Sequence, residues 1–127
     1  MDQLPEINWV GFYFLQNDTL KLGPFQGLPA CLDIKMGRGV CGASAFERKT
    51  IIVPNIEEFP GHIACDSNSK SEIVVPLIKL DQFSIDPGII GVLDIDSPIL
   101  NRFSVEDQLG LEKLMRGLLE ASTSFKL

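Results

Sequence analysis

No apolar run in this chain reaches the roughly 18 to 20 residues that a membrane-spanning helix requires. Met1 is followed by Asp2-Gln3-Leu4-Pro5-Glu6, without the basic and apolar regions of a secretory signal. Patterns of the GxGxxG, Walker, HExxH, GxSxG and EF-hand types are absent, and Gly37-Arg38-Gly39 lacks phosphate-loop spacing. Lysine and arginine are few and scattered: 11 basic residues face 17 acidic ones, for a net charge of −6. No basic stripe interleaves with aromatics, so neither nucleic acid nor a membrane surface is an expected partner. Only three cysteines occur, Cys31, Cys41 and Cys65, with no CxxC pair and no tandem Cys/His spacing. That odd count fits neither a disulfide framework nor a zinc finger. The expected location is the reducing cytoplasm, where cysteines stay as thiols unless catalysis oxidises them.

What is present reads as one globular domain over residues 1–127, long enough to bury a core without metal or disulfide support. Trp9 to Leu15 predicts a buried strand, turned by Asn17-Asp18 into a short second strand over Thr19–Gly23. Pro24 to Pro29 reads as loop, and the alternation of Cys31-Leu32-Asp33-Ile34 suggests a third strand. The small residues of Val40–Arg48 predict a helix. Ile51–Val53 predicts a strand, Asn55–Glu58 a helical turn and Gly61–Ser71 a long loop. Ser71–Lys79 follows as a strand in which Pro76 hints at an edge or bulge. Leu80–Gly88 is a connection and Ile89–Asp96 a further strand. Ser104 reads as an N-cap, and Leu109, Leu111, Leu114, Met115, Leu118 and Leu119 form an amphipathic stripe behind it. Local strand pairing with a terminal helix over one face predicts an α+β fold with an antiparallel sheet.

Three constellations could carry chemistry. Cys65 lies in a Pro- and Gly-shaped loop, three residues from the lone histidine, His62. It is either a reactive thiol or a small buried side chain, and the same pair of readings holds for Cys31 and Cys41. A zinc site from His62, Cys65 and Asp66 is too crowded along the chain for easy tetrahedral geometry. Asp94 and Asp96 fall on one face of an apolar strand, about 7 Å apart, and Glu72 heads another strand. Burial or mutual repulsion would raise such carboxyls toward general-acid range, whereas the plain alternative is a polar face open to solvent. Trp9 and Tyr13 share a face of the first strand, as core or as an aromatic wall for a small methyl or cationic group.

Taken together, Asn8-Trp9-Val10-Gly11-Phe12-Tyr13, Leu22 to Gly27, Gly37-Arg38-Gly39-Val40-Cys41-Gly42, Phe59 to Asp66, Ser69 to Pro76 and Gly91 to Pro98 resemble the free methionine-(R)-sulfoxide reductases, which are GAF-fold enzymes. The resemblance runs in order from Asn8 to the final helix and includes all three family cysteines. It implies reduction of free methionine (R)-sulfoxide to methionine by a thiol, with no cofactor or metal. Cys65 would attack the sulfoxide sulfur and become a sulfenic acid, Cys31 would resolve it as a disulfide, and thioredoxin would reduce that disulfide. Cys41 would be an auxiliary thiol. Glu72, Asp94 and Asp96 are the candidates for the proton that the oxygen needs, Asp94 foremost, the others holding the α-ammonium. Trp9 would face the S-methyl group, with Tyr13 beside it. Members of the family carry an N-terminal helical segment that contributes to dimerisation, whereas seven residues precede Asn8 here. That helix is therefore expected to be missing, and its absence bears on stability and on whether a homodimer forms. The connection Leu80–Gly88 is longer than usual. A non-catalytic small-molecule sensor on the same GAF fold is the alternative reading.

Overall fold

The structure, a computed structural model, describes residues 6–61, 69–79 and 88–124. Its centre is an aromatic hairpin. Strand β1 (Trp9–Gln16) pairs antiparallel with β2 (Thr19–Gly27), and Asn17, in the left-handed region at φ 60°, makes the tight turn between them. β2 runs four residues past its expected end at Gly23. The hairpin accommodates Pro24 through a bulge: Gly11 pairs with Phe25 but Tyr13 pairs with Leu22, so Gly23 and Pro24 together face Phe12. A proline, which cannot donate a ladder bond, is tolerated at such a point.

β3 is only Asp33–Lys35, paired to the start of β2. Cys31 therefore does not begin a strand, as its alternation suggested, but lies in the segment leading into one. Helix α1 (Gly39–Glu47), β4 (Ile51–Val53) and a 3-10 turn (Ile56–Glu58) follow as the sequence predicts. β5 (Ser71–Lys79) and β6 (Gly88–Ser97) form the longest antiparallel pair and join the hairpin through β1. The six strands order as β3-β2-β1-β6-β5-β4, every pair antiparallel. Pro76 sits in β5 beyond the end of β4, which pairs only with Glu72, Ile73 and Val74, so the edge character hinted by the proline is realised locally.

The two faces of the sheet have separate cores. On one, Tyr13, Leu20, Val74 and Val92 pack with Val40, Cys41 and Ala45 of α1. On the other, Ile73, Val75, Leu77 and Leu93 pack against α2 (Val105–Ser124) through Leu111, Met115 and Leu119. Those three helix residues recur every four positions and form one line. Leu109, Leu114 and Leu118, also expected in the buried stripe, are 46 to 62% exposed. The sheet contacts only the 111–115–119 line, which is narrower than the leucine pattern. Among the described residues no helix is long and apolar enough to cross a membrane.

Candidate active site

The period of two along β5 and β6 sends Glu72, Asp94 and Asp96 to the α1 face, where they share a cavity with Trp9, Tyr13 and Cys41. The register makes this convergence obligatory. Glu72 lies directly opposite Asp96, Asp96 opposite Trp9, and Asp94 opposite Gly11. All three acids are at most 8% exposed. The cavity holds about 50 Å³, and Ser69, Arg38 and Ile56 are among the other residues that line it.

Three acids in an apolar interior cannot all ionise cheaply. Burial, and then the neighbouring charge of Asp94, pushes the Glu72 carboxyl well above the ordinary range. Asp94 is raised by burial and then by Asp96. Cys41 is a free, buried thiol held well above its usual range, first by burial and then by Asp94 and Glu72. It hydrogen-bonds Asp94 and stays protonated, which makes it a poor nucleophile. One carboxylate oxygen, Asp94 Oδ1, is buried with no hydrogen-bond partner among the described residues, so it can accept from an incoming donor. The ligand atoms of Cys41, Glu72 and Asp94 lie within 4.8 Å of one another, a donor set that could also hold a divalent ion.

The aromatic residues meet the cavity with their rings and not with their polar atoms. The Trp9 indole stacks between Tyr13 and Phe25, with centroids 6.0 and 5.7 Å away. Its Nε1 donates to the Leu28 carbonyl at 3.0 Å. The Tyr13 hydroxyl donates to the Cys31 carbonyl at 2.9 Å. Burial above all holds the Tyr13 phenol far above its normal range, so it remains a donor. Cys31 itself is disulfide-bonded. Cys65, and the crowded His62, Cys65 and Asp66 trio, lie outside the described residues.

No protein-family model matches the chain. It is, however, 48% identical to the free methionine-R-sulfoxide reductase of Escherichia coli strain K12, over 98% of this chain and 73% of that protein. The chain belongs to the free methionine-R-sulfoxide reductase family. It is an oxidoreductase of that family, and its fold is the GAF fold. The crystal structure of a putative GAF sensor protein from Burkholderia vietnamiensis superposes with a TM-score of 0.85 at 50% identity, covering 94% of this chain and 72% of that one. The structure of the reductase of Staphylococcus aureus in complex with substrate superposes with a TM-score of 0.81 at 52% identity, covering 91% and 71% respectively.

For a reductase of this family, the structure gathers Trp9, Tyr13, Cys41, Glu72, Asp94 and Asp96 around one cavity. Seven lining residues were not singled out from the sequence as site residues: Ala30, Ile34, Arg38, Gly39, Val40, Ile56 and Ser69. Arg38, Gly39, Val40 and Ser69 stand in motifs that carry the family resemblance, and Ile56 stands in the expected helical turn. Ser69 had a further readable signal, since it lies two residues before the strand that carries Glu72.

Proposed function

We propose that the protein reduces free methionine (R)-sulfoxide to methionine, with Cys65 as nucleophile, Cys31 as resolving thiol and thioredoxin as reductant in the cytoplasm. In the first step the Cys65 sulfur takes the sulfoxide oxygen, giving methionine and a Cys65 sulfenic acid. In the second, the Cys31 thiol attacks that sulfur, the S–O bond breaks, water leaves and a disulfide forms. A dithiol then returns both cysteines to thiols.

The observation that carries this reading is the cluster of three buried carboxyls facing an aromatic wall. Oxide is a poor leaving group, so the sulfoxide oxygen must be protonated as it departs, and Asp94, whose carboxyl is pushed well above its ordinary range by burial and then by Asp96, is the group to supply that proton. Glu72 and Asp96, opposite one another, face the substrate's α-ammonium, and the unpartnered Asp94 Oδ1 adds an acceptor. The first turn of α1 supports binding of the opposite charge. Gly39 and Val40 line the cavity, and Arg38 at the N-cap makes no side-chain capping bond, which leaves first-turn amides to meet an α-carboxylate. Acids at one end and helix amides at the other suit a zwitterion. A peptide-bonded methionine has neither charge, which accounts for selection of the free amino acid. Trp9, with its N–H committed to Leu28, offers only ring surface to the S-methyl group. That Cys31 is disulfide-bonded while Cys41 is free supports Cys31 as the resolving residue.

The test is NADPH consumption with thioredoxin, thioredoxin reductase and each sulfoxide epimer. Turnover of the R epimer alone is expected, and its absence with folded protein removes the proposal. Cys65→Ser should abolish methionine formation. Cys31→Ser should permit one turnover and block recycling.

A further inference from the structure

Two hydrogen bonds from β1 converge on one short segment. Trp9 Nε1 donates to the carbonyl of Leu28 at 3.0 Å, and Tyr13 Oη donates to the carbonyl of Cys31 at 2.9 Å. Both donors are almost wholly buried, at 1% and 2% exposure, and their rings stack on each other. Between the two anchored carbonyls lie Pro29, which restricts the backbone, and Ala30, which lines the cavity. A third bond, from the Leu22 amide to the Leu32 carbonyl at 2.9 Å, ties the far end of the segment to β2. The wall of the substrate cavity and the mount of Cys31 are therefore the same pair of side chains.

We infer that Tyr13, together with Trp9, is a positioning residue for Cys31: it holds the 28–31 segment so that the Cys31 sulfur meets the oxidised nucleophile. This rests on the reading of Cys31 as the resolving thiol. The tyrosine hydroxyl has committed its one proton to a backbone carbonyl and has none to give to the sulfoxide. It takes no part in removing oxygen from the sulfoxide. Its effect falls on the later step, in which the Cys31 thiol displaces water from a sulfenic acid and the two sulfurs join. That displacement needs the sulfurs aligned, and alignment is what a pinned carbonyl at Cys31 itself supplies.

Tyr13→Phe keeps the ring stack and removes only the donor. Pro29→Gly, at an exposed position, loosens the same segment without touching the cavity. In single-turnover experiments on the reduced protein, methionine release and disulfide formation are followed separately, with dimedone trapping sulfenic acid for mass spectrometry. For Pro29→Gly, methionine release should stay within about twofold of wild type, and for Tyr13→Phe, whose ring lines the cavity, it should fall less than disulfide formation does. Disulfide formation should slow roughly fivefold or more, the scale of one net hydrogen bond, with trapped sulfenate rising in step. Disulfide formation at the wild-type rate in both variants overturns the inference. So does a parallel loss of both steps, which marks a general structural role. A second arm replaces sulfoxide with hydrogen peroxide, which oxidises a thiol to sulfenic acid without any sulfoxide reduction. The same slowing is expected there, and unchanged closure overturns the inference even if wild-type protein makes no methionine.

Discussion

Glu72 and Asp96 stand directly opposite one another across the β5–β6 pair, both facing the same buried cavity. Like charges directly opposite in a sheet are unfavourable even at a surface. Here Asp94 joins them from the same face of β6, two pairs further along, opposite Val74. The cluster escapes full mutual repulsion by keeping protons, and the directions for Glu72 and Asp94 express that. In the mechanism proposed above, that centre is what donates a proton where an oxygen must leave.

A pH dependence of stability follows, and its sign is opposite to that of an ordinary salt-bridged carboxylate. In the unfolded chain Glu72 and Asp94 titrate near the usual values of about 4. In the native state both are raised, so above the unfolded range the native state binds more protons and stability falls as pH rises. The contribution is least unfavourable below about pH 4 and worsens upward until the native groups ionise. Glu72→Gln, measured by calorimetry from pH 5 to 8, should flatten this decline. At pH 8 it should melt on the order of 3 °C above wild type, while activity is lost. A steeper decline in the variant would contradict the assignment.

The thiols should separate by reactivity. Cys41 is buried, free and held protonated by its acidic neighbours. In the native, fully reduced protein at pH 7 it should react with iodoacetamide at least about tenfold more slowly than an unhindered cysteine. Peptide mapping by mass spectrometry reads this directly. Cys41→Ala should retain thioredoxin-dependent turnover within about threefold, since nothing in the cycle proposed here passes through its sulfur. Loss of recycling in that variant alone would reassign the resolving role.

Much of this arrangement was legible in residue order. Alternation alone placed Asp94 and Asp96 on one face, and glycine and small-residue spacing gave α1 almost to the residue. The hairpin turn followed from Asn17-Asp18. Three features were not legible, each for a physical reason. β2 extends because Gly23 and Pro24 bulge against Phe12, and bulges depend on a partner strand that no local window contains. The leucines of α2 promised a broad apolar stripe, but burial is decided by the width of the sheet contact. The link from Tyr13 to Cys31 spans 18 positions and ends on a backbone carbonyl, which carries no side-chain signature.

The start of α2 offers a local stability test. Ser104 Oγ accepts from the Asp107 amide at 3.2 Å, and Asp107 Oδ2 accepts in return from the Ser104 amide at 2.8 Å. This reciprocal pair satisfies two backbone donors at the helix start, and the acid sits where the helix dipole favours it. Ser104→Ala should cost about 1 kcal/mol in urea unfolding, with an unchanged m-value and unchanged KM. A KM effect would mean that α2 communicates with the cavity on the opposite face of the sheet.

Gly11 is the position where fold and site are least separable. It faces Asp94 on one side and Phe25 on the other, on the same face of β1 as Trp9. A Cβ there would lie 2.5 Å from Trp9 Cη2 and 2.6 Å from Phe25 Cβ, closer than side chains tolerate. The indole is the part that can move, so Gly11→Ala should push it off its stack with Phe25 and strain its bond to Leu28. Overpacking of this kind costs roughly 1–3 kcal/mol, so the variant should fold with a lowered melting temperature. Trp9 is the single tryptophan in the chain, and its fluorescence therefore reports the displacement without interference. The expected signature is a shifted emission maximum together with a KM for methionine (R)-sulfoxide raised about tenfold, the scale of one lost 1.4 kcal/mol contact. Unchanged emission with raised KM would locate the damage in the acids opposite and not in the aromatic wall.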